Sequence, residues 1–320
     1  MFFDETSLRK LQTLTLVTTH VRAGALRGER RSLKRGAGLE FADFRDYVPG
    51  DDLRRVDWNV YARLDRPYVK LREEEEDLAI HLLVDASQSM DWGEGAQHKF
   101  NYALHLAAGL GSIGLSAGDR VTTTMLHDSH PSTARRTQAE RNAGESKPAQ
   151  RTTSDASLQV GEISLRGQQY LMHLLRFLEA QQAAGATDLD AATRRYLLRP
   201  RRPGLAILIS DLLSPRGYQA ALKTLQQRGH EVAIAHLLSP DEVDPPLAGD
   251  LRLIDIETGA AQEVSLDGGL REAYRQRVRA WRTEVQTFCR ARGIRYLAIE
   301  TDRAWDEVVL YDMRKAGIVK

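Results

Sequence analysis

Leu78-Ala79-Ile80-His81-Leu82-Leu83-Val84-Asp85-Ala86-Ser87-Gln88-Ser89-Met90 is the stretch that decides the fold. Its first half is a nearly continuous apolar run of strand length, the pattern of a strand buried on both faces of a parallel sheet. The run stops at an acid, and two hydroxyl side chains follow at alternate positions. Asp85, Ser87 and Ser89 thus set three hard oxygen donors on one loop at a strand's carboxyl end. Such a set suits Mg²⁺ or Mn²⁺ far better than Zn²⁺.

Downstream, helical and strand patterns alternate. Lys99 to Leu115 carries Phe100, Ala103, Leu104, Ala107 and Leu110 at helical spacing, and Gly118-Asp119 ends that crossover before a second strand, Asp119 to Leu126. Gly109 to Gly114 fits a dinucleotide fingerprint and Gly114 to Gly118 a nucleophile elbow. Both motifs need a strand before them and a helix after. Here the order is reversed, so the glycines read as close helix–sheet packing and a helix stop. Residues 127–157 hold almost no large apolar side chains, which predicts a disordered insertion at a hairpin tip, followed by a short strand near Leu158–Ile163. His127 and His130 have no further Cys or His at ligand spacing.

Gln168 to Ala184 reads as a helix. Gly204-Leu205-Ala206-Ile207-Leu208-Ile209-Ser210-Asp211 then repeats the opening theme, an apolar strand ending in an acid. A helix over Tyr218–Gln227, a buried strand over His230–Leu238 and a hairpin across Leu251–Ile256 and Gln262–Leu266 follow. A long amphipathic helix (Leu270 to Phe288), a final strand at Ile294–Ile299 and a last helix complete the pattern. Such alternation implies βα crossovers and a doubly wound, mostly parallel sheet. Ligands of open α/β sheets bind at the carboxyl ends of strands, where strand order reverses. Two acids brought together there repel unless a cation sits between them.

Upstream, residues 5–22 show a helical stripe of Leu8, Leu11, Leu14, Val17 and Val21. Arg27 to Gly36 is a basic, glycine-flanked loop that could touch an anionic partner, and Glu73 to Asp77 is an acidic run. Between them Pro49-Gly50 marks a turn, with Asp51 or Asp52 placed to cap a short helix over Leu53–Tyr61. An alternating stretch, Tyr68 to Arg72, comes next. Interleaved acids, arginines and aromatics of this kind more often build an ion-pair network than an active site.

Two features carry a family resemblance. Asp85-x-Ser87-x-Ser89 after a buried strand resembles the metal-ion-dependent adhesion site of von Willebrand factor A-type domains. Arg45-x-Tyr47-x-Pro49-Gly50-Asp51-x-x-Arg54-x-x-Asp57-Trp58-x-x-x-Ala62-Arg63 is similar to the signature of bacterial von Willebrand A-like proteins of unknown function, commonly encoded beside MoxR-type AAA+ ATPases. The resemblance runs from about Arg30 to the C-terminus. It implies a von Willebrand A-like α/β domain over residues 78–320, with residues 1–77 as an N-terminal helix and extension packing on it. It also implies that the Asp85 and Asp211 strands are neighbours. Ser87 and Ser89 would then ligate Mg²⁺ (or Mn²⁺), with Asp85 direct or through water, Thr187 from a third loop and Asp211 from a fourth. An acidic residue of a partner, the MoxR-type ATPase or its client, would complete the coordination.

Composition narrows the function classes. In 320 residues, 45 Lys+Arg nearly cancel 44 Asp+Glu, so no global field favours nucleic acid, and only basic patches near Arg30 and Arg201 speak for it. No run reaches the roughly 18 apolar residues of a membrane span, and no signal peptide is apparent. The single cysteine, Cys289, rules out an internal disulfide, fits a reducing compartment and sits in a helical apolar pattern. A cytoplasmic protein is expected. Its alternative role is a metal-dependent phosphohydrolase using Asp85 as nucleophile. That chemistry usually wants a second Asp two residues on as general acid, and Ser87 stands there instead. An interaction module is therefore the expectation, and an enzyme the minority reading.

Overall fold

The structure, a computed structural model, describes residues 5–18, 43–48, 56–71, 78–127, 161–185, 188–246, 249–254, 261–266 and 268–320. The chain divides into two units, Met1–Ala23 with Leu78–Lys320, and Gly24–Asp77. The first helix thus groups with the larger unit. Along the chain come α1 (Glu5–Leu11), β1 (Asp43–Asp46), α2 (Trp58–Leu64), β2 (Tyr68–Leu71), β3 (Ala79–Asp85), α3 (Lys99–Ser116), β4 (Arg120–Leu126) and β5 (Glu162–Arg166). They continue with α4 (Leu171–Glu179), α5 (Leu189–Tyr196), β6 (Leu205–Ser210), α6 (Gln219–Gln227), β7 (Glu231–Leu238), α7 (Pro240–Val243), β8 (Gly249–Ile254), β9 (Ala261–Leu266), α8 (Gly268–Arg290) and β10 (Arg295–Glu300). Short helical turns fill Trp305 to Lys315.

In the larger unit six strands form one sheet in the order β10-β7-β6-β3-β4-β5. All neighbours are parallel except β4 and β5. This is the doubly wound, mostly parallel sheet expected from the alternation, with β3 and β6 side by side at its centre. Successive strand residues point to opposite faces. Ile80, Leu82 and Val84 of β3 join Leu205, Ile207 and Ile209 of β6 in a core under α1, α3 and α4. Leu83, Ala206, Leu208, Val232 and Ile234 face the other way, against α5, α6 and α8. The crossovers from β3 and from β6 therefore leave on opposite faces, and the switch point lies between them.

The α3 glycines serve packing, as expected. A Cβ on Gly114 would stand 2.5 Å from Ile80 Cδ1 and 2.8 Å from Val121 Cγ2, and one on Gly111 would collide with Leu174. Small residues at these positions let α3 lie close over β3 and β4.

Several expected boundaries move, each for a local reason. The helix over 5–22 stops at Leu11, because β-branched Thr13, Thr15 and Val17 favour extended chain. Thr15 and Val17 instead join a short ladder with residues 318–320: Thr15 N–H donates to Lys320 O at 3.0 Å and Val17 N–H to Ile318 O at 3.0 Å. The strand expected at 158–163 lies at Glu162–Arg166, where Gly161, at φ 105°, turns the chain into it. The helix expected over 168–184 is shorter, Leu171–Glu179 after a single tight turn. The predicted insertion, 127–157, lies outside the described residues apart from His127.

In the smaller unit β1 and β2 pair antiparallel, Arg45 opposite Val69. The helix expected at Leu53–Tyr61 is Trp58–Leu64, because Asp57 is its cap: Asp57 Oδ1 accepts the N–H groups of Asn59 and Val60 at 3.0 and 3.2 Å. Asp51 and Asp52, the caps named from sequence, lie outside the described residues.

Candidate functional site

At the switch point β3 ends in an acid, Asp85, and another, Asp211, directly follows β6; the local chain geometry fixes both. Asp85, 2% exposed, accepts the Ser87 N–H on Oδ1 at 3.0 Å. Its other oxygen, Oδ2, accepts from Ser210 Oγ at 2.6 Å across the β3–β6 boundary. The same Ser210 Oγ accepts the Leu212 N–H at 2.9 Å, which holds Leu212 at φ 59°. One hydroxyl therefore stitches the two strand ends together. Burial, then the nearby Asp211 charge, pushes the Asp85 carboxyl up to about 6, against the hydrogen bonds from Ser210 and Ser87.

Ser87 Oγ and Ser89 Oγ lie 3.0 Å apart in a mutual hydrogen bond. That spacing is also the separation of adjacent ligands around an octahedral Mg²⁺, about 2.9 Å for metal–oxygen bonds of roughly 2.05 Å. Among the described residues no group of three His, Cys, Asp or Glu side chains could hold a metal, so any cation here would be held largely by hydroxyls. Asp85, Ser87 and Ser89 fit a hard divalent ion by donor chemistry and spacing.

Asp211, 1% exposed, is engaged through both oxygens. Its Oδ1 accepts the Leu213 N–H at 3.0 Å, and its Oδ2 takes the ammonium of Lys99 at 2.8 Å. Lys99 is fully buried and also reaches Glu242 Oε1 at 2.7 Å. Burial opposes the charge, but Asp211 and Glu242 outweigh it and raise the Lys99 pKa above its ordinary value. Glu242 is held in turn by a capping box: its Oε2 accepts the Ser239 N–H at 2.8 Å while Ser239 Oγ accepts the Glu242 N–H at 3.2 Å. Behind Asp211, His236 Nε2 donates to the Asp211 carbonyl at 3.0 Å, which leaves Nδ1 to accept from Tyr296 Oη at 2.7 Å.

Thr187, the remaining ligand named from sequence, lies outside the described residues. Two positions earlier, Gly185 O accepts the Gln88 N–H at 2.7 Å, and Ala184 N–H donates to Ala86 O at 2.8 Å. The chain leading to Thr187 is thus bonded to the loop that carries Ser87 and Ser89.

Sequence reading missed Lys99, Glu242, Ser210 and His236. A signal existed for two of them. Lys99 opens a helix, where the dipole disfavours a cation and a buried acid partner is the usual remedy. Ser239-Pro240-Asp241-Glu242 spells a capping box with proline at the first helical position. Arg201, offered as part of a basic patch, is instead committed to structure. It pairs with Glu162 through Nη1 and Nη2 at 3.2 and 2.6 Å, and its guanidinium lies 3.9 Å over the Tyr196 ring. The patch around Arg30 lies outside the described residues.

Replacing Ser210 with alanine removes a hydrogen bond to a buried carboxylate and orphans the Leu212 N–H. A loss of about 2–3 kcal/mol is expected, read as a lower urea midpoint at unchanged slope. A loss below about 0.5 kcal/mol would show that the stitch carries no weight.

The sequence profile of a family described as "Protein of unknown function DUF58" matches residues 43–284. The chain is 31% identical over 298 residues to an uncharacterized protein of Mycobacterium bovis and to one of Mycobacterium tuberculosis, covering 92% of this chain and 85% of each relative. It is 39% identical over 135 residues to an uncharacterized protein of Mycobacterium avium, covering 41% of this chain and 76% of that one. Among solved structures it is similar to the conserved hypothetical protein BatB of Bacteroides thetaiotaomicron (TM-score 0.39, 12% identity, 75% of this chain and 98% of that one). It is also similar to an aerotolerance-related membrane protein of Bacteroides fragilis (TM-score 0.38, 14% identity, 75% and 98%). Among the described residues no helix is long and apolar enough to cross a membrane.

Proposed function

The chain belongs to the DUF58 family, whose members are of unknown function, and on that premise we propose that it is a metal-ion-dependent protein-interaction module. The observation that carries the reading is the pair of serine hydroxyls, 3.0 Å apart beside a buried carboxylate, at the switch point of the sheet. Mg²⁺ or Mn²⁺ bound there would offer an open coordination position to an acidic side chain. Within the chain, Ser87 and Ser89 would hold the ion, Asp85 would supply charge directly or through water, and Ser210 would orient Asp85. Thr187 belongs to this proposal by resemblance alone. Asp211 enters it as a carboxylate already shared with Lys99.

Phosphoryl transfer through Asp85 finds less support. Both of its oxygens accept hydrogen bonds, the side chain is buried, and the position two residues on is a serine that cannot act as general acid at neutral pH. The resemblance makes a MoxR-type AAA+ ATPase, or its client, the candidate partner. A cytoplasmic location goes with that proposal.

Two measurements test it. Mg²⁺ at about a hundredfold over its Kd should add about 2.7 kcal/mol of stability, a rise of about 5 °C in Tm. A melt that no attainable concentration of Mg²⁺ or Mn²⁺ moves overturns the reading. Retention of the purified ATPase by immobilised protein should require Mg²⁺ and vanish in EDTA. Equal retention in both buffers would place the contact elsewhere.

A further inference from the structure

Lys99 is an unusual occupant for this cleft. Its whole side chain is buried, it begins a helix, and its ammonium lies within 2.8 Å of Asp211 and 2.7 Å of Glu242. Three separate elements meet there: α3 supplies Lys99, and the residue after β6 and the capping box of α7 hold it. Neither oxygen of Asp211 is idle, since Leu213 N–H takes the other. A buried charge this well paired is built into the site, because removing one partner of such a pair costs several kcal/mol.

Resting on the metal reading above, we infer that Lys99 is the resident cation of the cleft and that it limits metal affinity in the free protein. Lys99 holds Asp211 and Glu242 while no metal is bound. A divalent ion at Asp85, Ser87 and Ser89 then binds against a fixed positive charge and with Asp211 already shared. Its affinity rises when a partner brings a further carboxylate into the cleft. By reciprocity the metal raises the partner's affinity by the same factor. Lys99 thereby keeps the unpartnered site weak.

The test is calorimetric titration of the full chain with Mg²⁺ alone, and with Mn²⁺ alone, in wild type, Lys99→Met and Glu242→Gln. Lys99→Met keeps the unbranched stem, one atom shorter, and removes the charge. It should bind either ion at least about tenfold more tightly, since a unit charge in the same cleft acts on a divalent ion even at a protein-like dielectric. Glu242→Gln keeps the capping hydrogen bond and removes a negative charge, so it should bind severalfold more weakly. Opposite shifts of this kind support the inference. If both variants bind as wild type does, the inference is overturned and the metal reading stands. If neither wild type nor Lys99→Met binds either ion, the metal reading fails and the inference falls with it; if wild type binds and Lys99→Met does not, the inference alone is overturned. Should Lys99→Met not fold, Glu242→Gln decides: severalfold weaker binding supports the inference, and unchanged binding overturns it.

Discussion

Replacing Gly204 with alanine is expected to destabilise the protein by about 3 kcal/mol or more. Gly204 lies just before β6, where β6 closes against the start of β3. A Cβ there would fall inside the Ala79 carbonyl group and stand 2.8 Å from Ala79 Cβ. Backbone cannot rotate aside as a long side chain can, so the two strands must separate or slide. The Gly204 carbonyl also accepts the Glu231 N–H at 3.0 Å, which pins the same point from the β7 side. Strain at this end is transmitted to the other, because the pairing of Ile80 with Leu205 through Val84 with Ile209 is what sets Ser210 beside Asp85. Urea unfolding measures the loss directly. A cost under about 1 kcal/mol would mean that the strands can part there without strain.

Acidification from pH 6.5 towards 4 should weaken the protein through two buried histidines. His81 accepts from Tyr196 Oη at 2.6 Å and donates from Nε2 to Arg202 O at 3.0 Å, the same arrangement that His236 makes with Tyr296 and Asp211. Burial, then the neighbouring His230, lowers His81 to about 4; burial, then Arg282, lowers His236 to about 4. Both folded values lie below the ordinary value of 6.5, so the unfolded chain binds these protons first. The histidines' contribution is full above pH 6.5 and falls as pH drops towards 4, by about 3 kcal/mol for each. Asp85 works the other way: its folded value, raised to about 6, means stability is gained below 6 and lost as pH rises through it. His236→Gln should therefore show a flatter decline between pH 6.5 and 4 than wild type, and Asp85→Asn a steeper one. Equal slopes in all three proteins would refute the assignment.

Much of the fold is written in short apolar runs. Leu78 to Asp85 and Gly204 to Asp211 each read as a buried strand ending in an acid; the strands are Ala79–Asp85 and Leu205–Ser210, each buried along its full length, with Asp211 directly after the second. What alternation alone does not fix is strand order, since every βα unit looks alike from within. The resemblance placed the two strands side by side, and the sheet has them so. Helix ends were harder, because they depend on which hydrogen bond a side chain finds: Asp57 rather than Asp51 or Asp52 caps α2. The site was legible where its donors share one loop, as Asp85, Ser87 and Ser89 do. It was illegible where charge is balanced across distant segments. Lys99 and Asp211 are 112 positions apart and Lys99 and Glu242 143, and nothing local to any of them announces the others.

The ladder between residues 15–17 and 318–320 sets an order of events during synthesis. Thr15 and Lys320 exchange both backbone hydrogen bonds, at 3.0 and 2.8 Å, and Val17 O accepts from Arg295 Nη1 at 2.6 Å. These bonds span about three hundred residues. The early segment has no ladder partner until the late one has left the ribosome, although it is made first. Leu11 and Leu16 find apolar cover sooner, because both lie against α3 at Gly109 and Gly114, so only the ladder itself waits for the late segment. The sheet can close around β3, β4 and β6 in the meantime. Closing that ladder is a late step, and a chain interrupted before residue 318 keeps its central strands paired but leaves Thr15 and Val17 without the backbone partners they have here.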